Sequence, residues 1–469
     1  MEGLPVRTPV WLVTTLAAVT AVLVLAQARA QPLPPRVELD ASVLSLTRVN
    51  VSTRGRQADR ATFGAVLSAS GRFVAYASKA TTLVRGDRNG VSDVFVRDLR
   101  TRRTWRASLP SGGSESNGAS LRPSISADGR IVAFPSAASN LVPGDRNGVQ
   151  DIFVRDRADG RTDRVTVGPA GEANAASLAS LLSADGRVVV FSSDASNLVP
   201  DDRNGALDVF VVDRATGVTS RVSVGLFAES SDRSEASSVD ALGAVVGFRS
   251  FASNLVYGDW NEKADVFVYD GRTGTTERVN VSSTGVEATA ATFRGTVSGD
   301  GRFVGFRSRA RNLVPEDTNR ALDVFVHDRW TGATQRVSVA SDGSQADAAG
   351  FDRESRRNSF MSRPYLSADG RWVAFTSRAS NLVAGDRNGV TDVFVHDLIA
   401  GTTRRVSVSA DGEEANGASV VSGISADGRV VVFTSLADNL VPGDTNGRRD
   451  VFVAHLLVPG GDAVQSRSR

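Results

Sequence analysis

Outside its first thirty residues, the apolar positions of this chain come in short runs that never sustain a helical period. "RIVAF" (130–134) and "DIFVRD" (151–156) are rich in Val, Ile and Phe, whereas "TDRVTV" (162–167) alternates polar and apolar residues. Short apolar runs suit strands buried on both faces, and strict alternation suits a strand with one face in water. A more variable stretch, 121–126, supplies a further strand ahead of "SADG". Asp-Gly and Thr-Gly pairs separate the runs, and glycine there accepts the positive φ of a tight turn. The pattern predicts four short antiparallel strands per unit.

The unit recurs. "NLVPGDRNGVQDIFV" (140–154) has near-copies whose leading Asp falls at Asp87, Asp145, Asp202, Asp259, Asp317, Asp386 and Asp444, with spacings of 58, 57, 57, 58, 69 and 58 residues. Each copy reads approximately "SADGRxVAFxSxASNLVPGDxNGxxDVFVxDxxTGxTxRVSV". Four-stranded units at a fixed period predict the blades of an all-β propeller. The last unit stops after "DVFVAHLL" (450–457), and an orphan "LTRVNV" (46–51) precedes the first. If that orphan strand completes the final blade, seven blades close into a ring without an exposed sheet edge. A linear solenoid would need capping repeats and would leave the split unit unexplained.

The first thirty residues stand apart. Arg7 precedes an apolar run from 10 to 26, and Ala28 and Ala30 give the small-x-small pattern of a signal-peptidase site. The expectation is export, with cleavage after Ala30, a linker over 31–45, the propeller over 46–457 and a disordered tail over 458–469. The run is slightly short for a spanning helix, so a membrane is met only if this segment stays uncleaved. There is no cysteine among 469 residues, so an exported chain must hold together without disulfides. The 54 Lys+Arg and 52 Asp+Glu nearly cancel at +2, which reads as a solvated mixed-charge surface and offers nothing to nucleic acid.

"SADGRIVAF" followed by "DIFVRDRADGRTDRV" resembles the WD40-like propeller repeats of the TolB family and its secreted bacterial relatives. The resemblance runs from about 47 to 457 and rests on all seven copies. It implies the fold strongly and the function weakly, because the group includes a periplasmic translocation factor, propeller domains of serine peptidases and many exported proteins. About fifteen residues separate the expected cleavage site from the first strand, and a dozen follow Leu457. Neither stretch accommodates the translocation factor's α/β domain or the peptidases' hydrolase domain.

In such a blade the "SADG" and "DRxTG" turns share one face, while the "SxASNLVPGDxNG" loops and the links between blades share the other. The second face carries the longer loops, so it is the expected binding face for a protein or glycan partner. The 69-residue spacing adds an insertion there, "GFDRESRRNSFMSR" (350–363), where Phe351, Arg353, Arg356, Arg357, Phe360 and Met361 gather interface-type side chains. Blade 4 also departs from the pattern, with "DALG" (240–243) for "SADG" and Trp260 in its loop.

The D-x-N-G-x-x-D segment poses the chemical question. It is intact at Asp87/Asn89/Asp93, Asp145/Asn147/Asp151, Asp202/Asn204/Asp208, Asp386/Asn388/Asp392 and Asp444/Asn446/Asp450, while Glu262 and Arg320 replace the glycine in blades 4 and 5. Three hard oxygen donors at that spacing would give calcium half a coordination shell. Asn-Gly equally favours a tight turn, and the spacing misses the EF-hand pattern, so the structural turn is preferred. Catalysis has less support. His327 and His396 occupy the same place in "DVFVHD", and every carboxylate pair belongs to the repeat. The sequence reading is therefore an exported, non-enzymatic binding propeller. The alternatives are an envelope hydrolase or lyase working at the channel mouth, or a TolB-like translocation role.

Overall fold

The computed structural model describes residues 43–347 and 363–457. Among these residues there is no helix, and thus none long and apolar enough to cross a membrane. Seven four-stranded antiparallel sheets follow one another along the chain. In blade 2 the strands are Ser124–Ile125, Ile131–Ser136, Asp151–Asp156 and Arg161–Arg164, numbered first to fourth from the centre outward. The first strands of neighbouring blades touch all the way round, blade 7 meeting blade 1, which makes the array a closed ring about a central channel.

Closure works as the split repeat predicts. The strand Val43–Arg48 pairs antiparallel with Asp450–Leu456 and becomes the outer strand of blade 7, with Leu46 opposite Ala454 and Arg48 opposite Phe452. It begins three residues ahead of the orphan motif and gives way after Arg48 to turn-forming backbone.

The second and third strands are buried nearly throughout, which is why their apolar runs do not alternate. Each blade stacks one aromatic pair across these strands, from Tyr76–Phe95 and Phe134–Phe153 to Phe433–Phe452, at 5.6–6.3 Å between ring centroids. The rings face the preceding blade: Phe191 and Phe210 pack with Ile131, Ala133, Ile152 and Val154 of blade 2. Blades approach so closely that a Cβ at Gly129 would come within 2.4 Å of the Phe73 ring, a contact glycine alone avoids.

The "DALG" departure in blade 4 is structural. In blade 2, Ser126 Oγ accepts the Ile131 N–H while Asp128 accepts the Arg130 N–H. In blade 4, Asp240 Oδ1 accepts both the Ala244 and the Val245 N–H, at 2.7 and 3.1 Å. One carboxylate does the work of two side chains.

Candidate functional site

The repeated loop begins with Asp87 in blade 1 and ends at Asp93, the first residue of the third strand. Asp93 is fully buried. Its Oδ1 accepts from Ser108 and Ser116 hydroxyls at 2.5 and 3.1 Å, and its Oδ2 accepts from the Asn89 amide at 2.9 Å. Asn89 Oδ1 in turn accepts the Val91 N–H, fixing the turn. The remaining side is closed by Arg106 of the fourth strand. Its Nη1 lies 3.2 Å from Asp87, 3.1 Å from Asp93 and 3.0 Å from Glu115 of the following link.

The same clip recurs round the ring. Arg164 meets Asp145, Asp151 and Glu172; Arg221 meets Asp202, Asp208 and Glu229; Arg405 meets Asp386 and Glu414. In blade 5, Arg336 holds Asp317 and donates to Gln345. In blade 7 the arginine comes from the closing strand: Arg48 lies 2.9 Å from Asp444 and 3.5 Å from Asp450. Asn147, Asn204, Asn388 and Asn446 repeat the Asn89 contact to Asp151, Asp208, Asp392 and Asp450. These arginines are thus buried counter-ions, where the composition suggested a solvated surface. The sequence signal was available, since the arginine follows the last Asp of the motif by 13 residues, blade after blade.

Glutamate and two aspartates around one guanidinium leave a net negative charge. Burial, and then the neighbouring aspartate, push the leading carboxyls up against the pull of the arginine; Asp87, Asp259 and Asp386 are raised to about 6. In blade 4 the acids Asp259, Asp265 and Glu287 come close enough together to hold a metal ion. Arg278 lies between them, at 3.2, 3.7 and 2.9 Å, and Asp265 also accepts from Asn261 and Asn280. Calcium takes six to eight oxygens, and the guanidinium already stands as counter-ion to these three carboxylates. With Arg278 in place the cluster does not fit the ion. Glu262 and Arg320 keep the turn despite lacking the glycine, adopting φ of 54° and 57°.

His327 and His396 are structural. Each Nδ1 lies 2.8 Å from a threonine hydroxyl, Thr334 or Thr403, as Arg155 reaches Thr162 in blade 2. Burial pushes His396 down to about 4, so it stays neutral.

Two departures from the repeat remain. On the loop-rich face, Trp260 is 82% exposed, Tyr257 in the same loop 76%, and Phe227 in the preceding link 83%. Phe227 and Tyr257 meet edge to face at 5.9 Å. Sequence reasoning found Trp260 and missed its neighbours, although Tyr257 stands where blades 2, 3, 5 and 7 have proline. The insertion residues Phe351, Arg353, Arg356, Arg357, Phe360 and Met361 lie outside the described residues. At the channel mouth the first strands carry charges that do not repeat: Arg122 in blade 2, Glu235 in blade 4 and Arg294 in blade 5, the last two ion-paired at 2.9 Å.

No family model and no curated protein matches this chain. Solved structures do. An oligogalacturonate lyase in complex with manganese is 12% identical, covering 88% of this chain and 97% of that one, with a TM-score of 0.50. A prolyl endopeptidase is 13% identical at a TM-score of 0.51, covering 86% of this chain and half of that one. The fold is a seven-bladed β-propeller. TolB from Acinetobacter baumannii is also similar, at 15% identity and a TM-score of 0.39, covering 72% of this chain. The match spans 64% of the TolB chain's own length. Likeness at such identities speaks for the propeller alone, which hosts unrelated activities.

Proposed function

We propose that this protein is an exported binding propeller whose loop-rich face engages a protein or glycan partner. The observation that carries the reading is the exposed aromatic group Phe227, Tyr257 and Trp260 on the loop-rich rim. Large rigid aromatics left in water by a folded chain are the residue type that dominates binding hot spots. The repeated loops, in this reading, are arginine-closed clips that stiffen a scaffold lacking disulfides. Calcium would enter at Asp259, Asp265 and Glu287 only by displacing Arg278. Export to the periplasm or beyond rests on the leading apolar segment.

An envelope hydrolase or lyase is the second reading, favoured by the unrepeated charges at the channel mouth. Glu235 is the carboxylate there, and the cations around it, Arg294 first, hold its pKa down despite partial burial. A lowered carboxylate is a weak base, so the mouth is better equipped to bind than to move protons.

The test is a glycan-array and envelope-protein binding screen with the wild type and the variant Tyr257→Ser/Trp260→Ser. The expected result is a ligand that the variant binds at least tenfold more weakly while melting at the same temperature. A ligand bound equally by both proteins, or chemically altered by either, would overturn the reading.

A further inference from the structure

The channel mouth offers a site independent of the rim aromatics. At the loop-rich face, at the start of the first strand or just ahead of it, a Ser or Thr stands opposite the last residue of the second strand in four blades: Thr62, Ser120, Ser177 and Thr292 face Ser78, Ser136, Ser193 and Ser308. Two residues on, the repeat places Gly64 in blade 1 and Ala179 in blade 3 but Arg122 in blade 2 and Arg294 in blade 5. Here the backbone turns left-handed, with φ of 62°, 35° and 48° at Gly64, Arg122 and Ala179. An arginine at positive φ is strained, and such strain persists where function or packing demands it. Blade 1 makes room for it. A Cβ at Gly64 would lie 3.2 Å from the Arg122 Cα.

Arg122 has no ion-pair or hydrogen-bond partner among the described residues. Solvent reaches it, and it stands at the same register as Arg294 beside the inner strands of the ring, so both arginines belong to the loop-face end of the channel. Arg294 spends one side on Glu235 through Nε and Nη2, at 3.1 and 2.9 Å. Two more arginines stand behind Glu235. Arg249 donates to the Thr292 carbonyl at 2.9 Å, and both Arg249 and Arg233 stack on Phe251, at 4.5 and 4.4 Å. Arg294, Arg249 and Arg233 thus lie about one carboxylate. The positions just before Arg122 and Arg294 are the half-buried Leu121 and Phe293, and Phe63 holds the matching place in blade 1.

We propose that the loop-face mouth of the channel binds an organic ligand carrying two or more carboxylates, held between Arg122 and Arg294. Guanidinium forks match carboxylate oxygens in pairs, and an enclosed channel strengthens each contact relative to open water. Leu121 and Phe63, both half-buried, give the ligand's carbon frame somewhere to rest, which an inorganic ion does not need. Glu235 orients Arg294 and blocks anions too large to pass it.

The experiment is a calorimetric titration of residues 31–469 with citrate, inorganic phosphate and sodium chloride at matched ionic strength. Arg122→Gly is the informative variant, since glycine accepts the local φ and the fold should survive. Arg85→Gln, on the exposed outer rim, is the control. The expected result is saturable citrate binding, at least tenfold tighter than phosphate, weakened tenfold or more by Arg122→Gly and unchanged by Arg85→Gln. Equal binding of citrate and phosphate would overturn the carboxylate assignment. No saturable binding, or binding that Arg122→Gly leaves intact, would overturn the site.

Discussion

Replacing Arg106 by methionine tests the clip directly. The side chain is 8% exposed and touches three carboxylates, of which Asp87 is 5% and Asp93 0% exposed. Methionine keeps much of the volume and removes the charge. Two unit charges 4 Å apart interact by about 4 kcal/mol at an effective dielectric of 20, and deleting one partner of a buried pair costs about 3–5 kcal/mol. The loss should sit near the top of that range at pH 7.5, above the value of about 6 at which Asp87 titrates beside the arginine. Asp87, already raised to about 6 with the arginine present, must rise further without it. The variant then takes up a proton on mild acidification, and its deficit should shrink at pH 5. Urea unfolding of wild type and variant at both pH values reads this as a shift in midpoint at constant slope. The double variant Arg106→Met/Asp87→Asn should be less destabilised than the single, because the two changes share one cluster. A loss below about 1 kcal/mol, equal at both pH values, would mark Arg106 as an ordinary surface ion pair and not a buried counter-ion.

Asp87→Asn alone should flatten the pH dependence of the melt. A carboxyl raised from 3.8 to about 6 contributes stability that is whole below its unfolded value and is lost as pH rises through 6, so the variant should gain on wild type between pH 4 and 7. The opposite sign holds for Asp213, lowered to about 2 chiefly by its bonds to Arg187; Asp213→Asn should cost stability at pH 7, and that cost should fade as pH falls from about 4 through 2, by the same melt. Glu262→Gly should raise stability by up to about 1 kcal/mol, since a side chain at φ 54° is relieved, and a lower urea midpoint would show that Glu262 is held there by contacts. His396→Gln should leave the stability within about 1 kcal/mol of wild type by urea unfolding, because the ring only bridges to Thr403.

The repeat made the fold legible because spacing, turn glycines and apolar runs all agreed, and the broken last unit even foretold the closing strand. What the motif could not show was its own counter-ion. Asp87 and Asp93 read as metal ligands in isolation, yet their cation arrives from the next strand and their third carboxylate from the link beyond. In blade 7 the arginine precedes its aspartates by nearly the whole chain. The rim was half legible: Trp260 stood out as a residue type, whereas Phe227 and Tyr257 are ordinary propeller residues until their exposure is known. The channel arginines were invisible for the opposite reason. Arg122 and Arg294 look like two more solvated arginines, and only ring closure brings the inner strands that carry them to one channel mouth.

Arginine is the cation that closes these loops in the structure. Thermal melts of residues 31–469 in millimolar calcium and in excess chelator test it most directly, because any ion bound to the folded state must raise its stability. Superimposable melts are expected. A calcium-dependent rise of several degrees, abolished by Asp145→Asn with the matching changes in the other blades, would contradict the account.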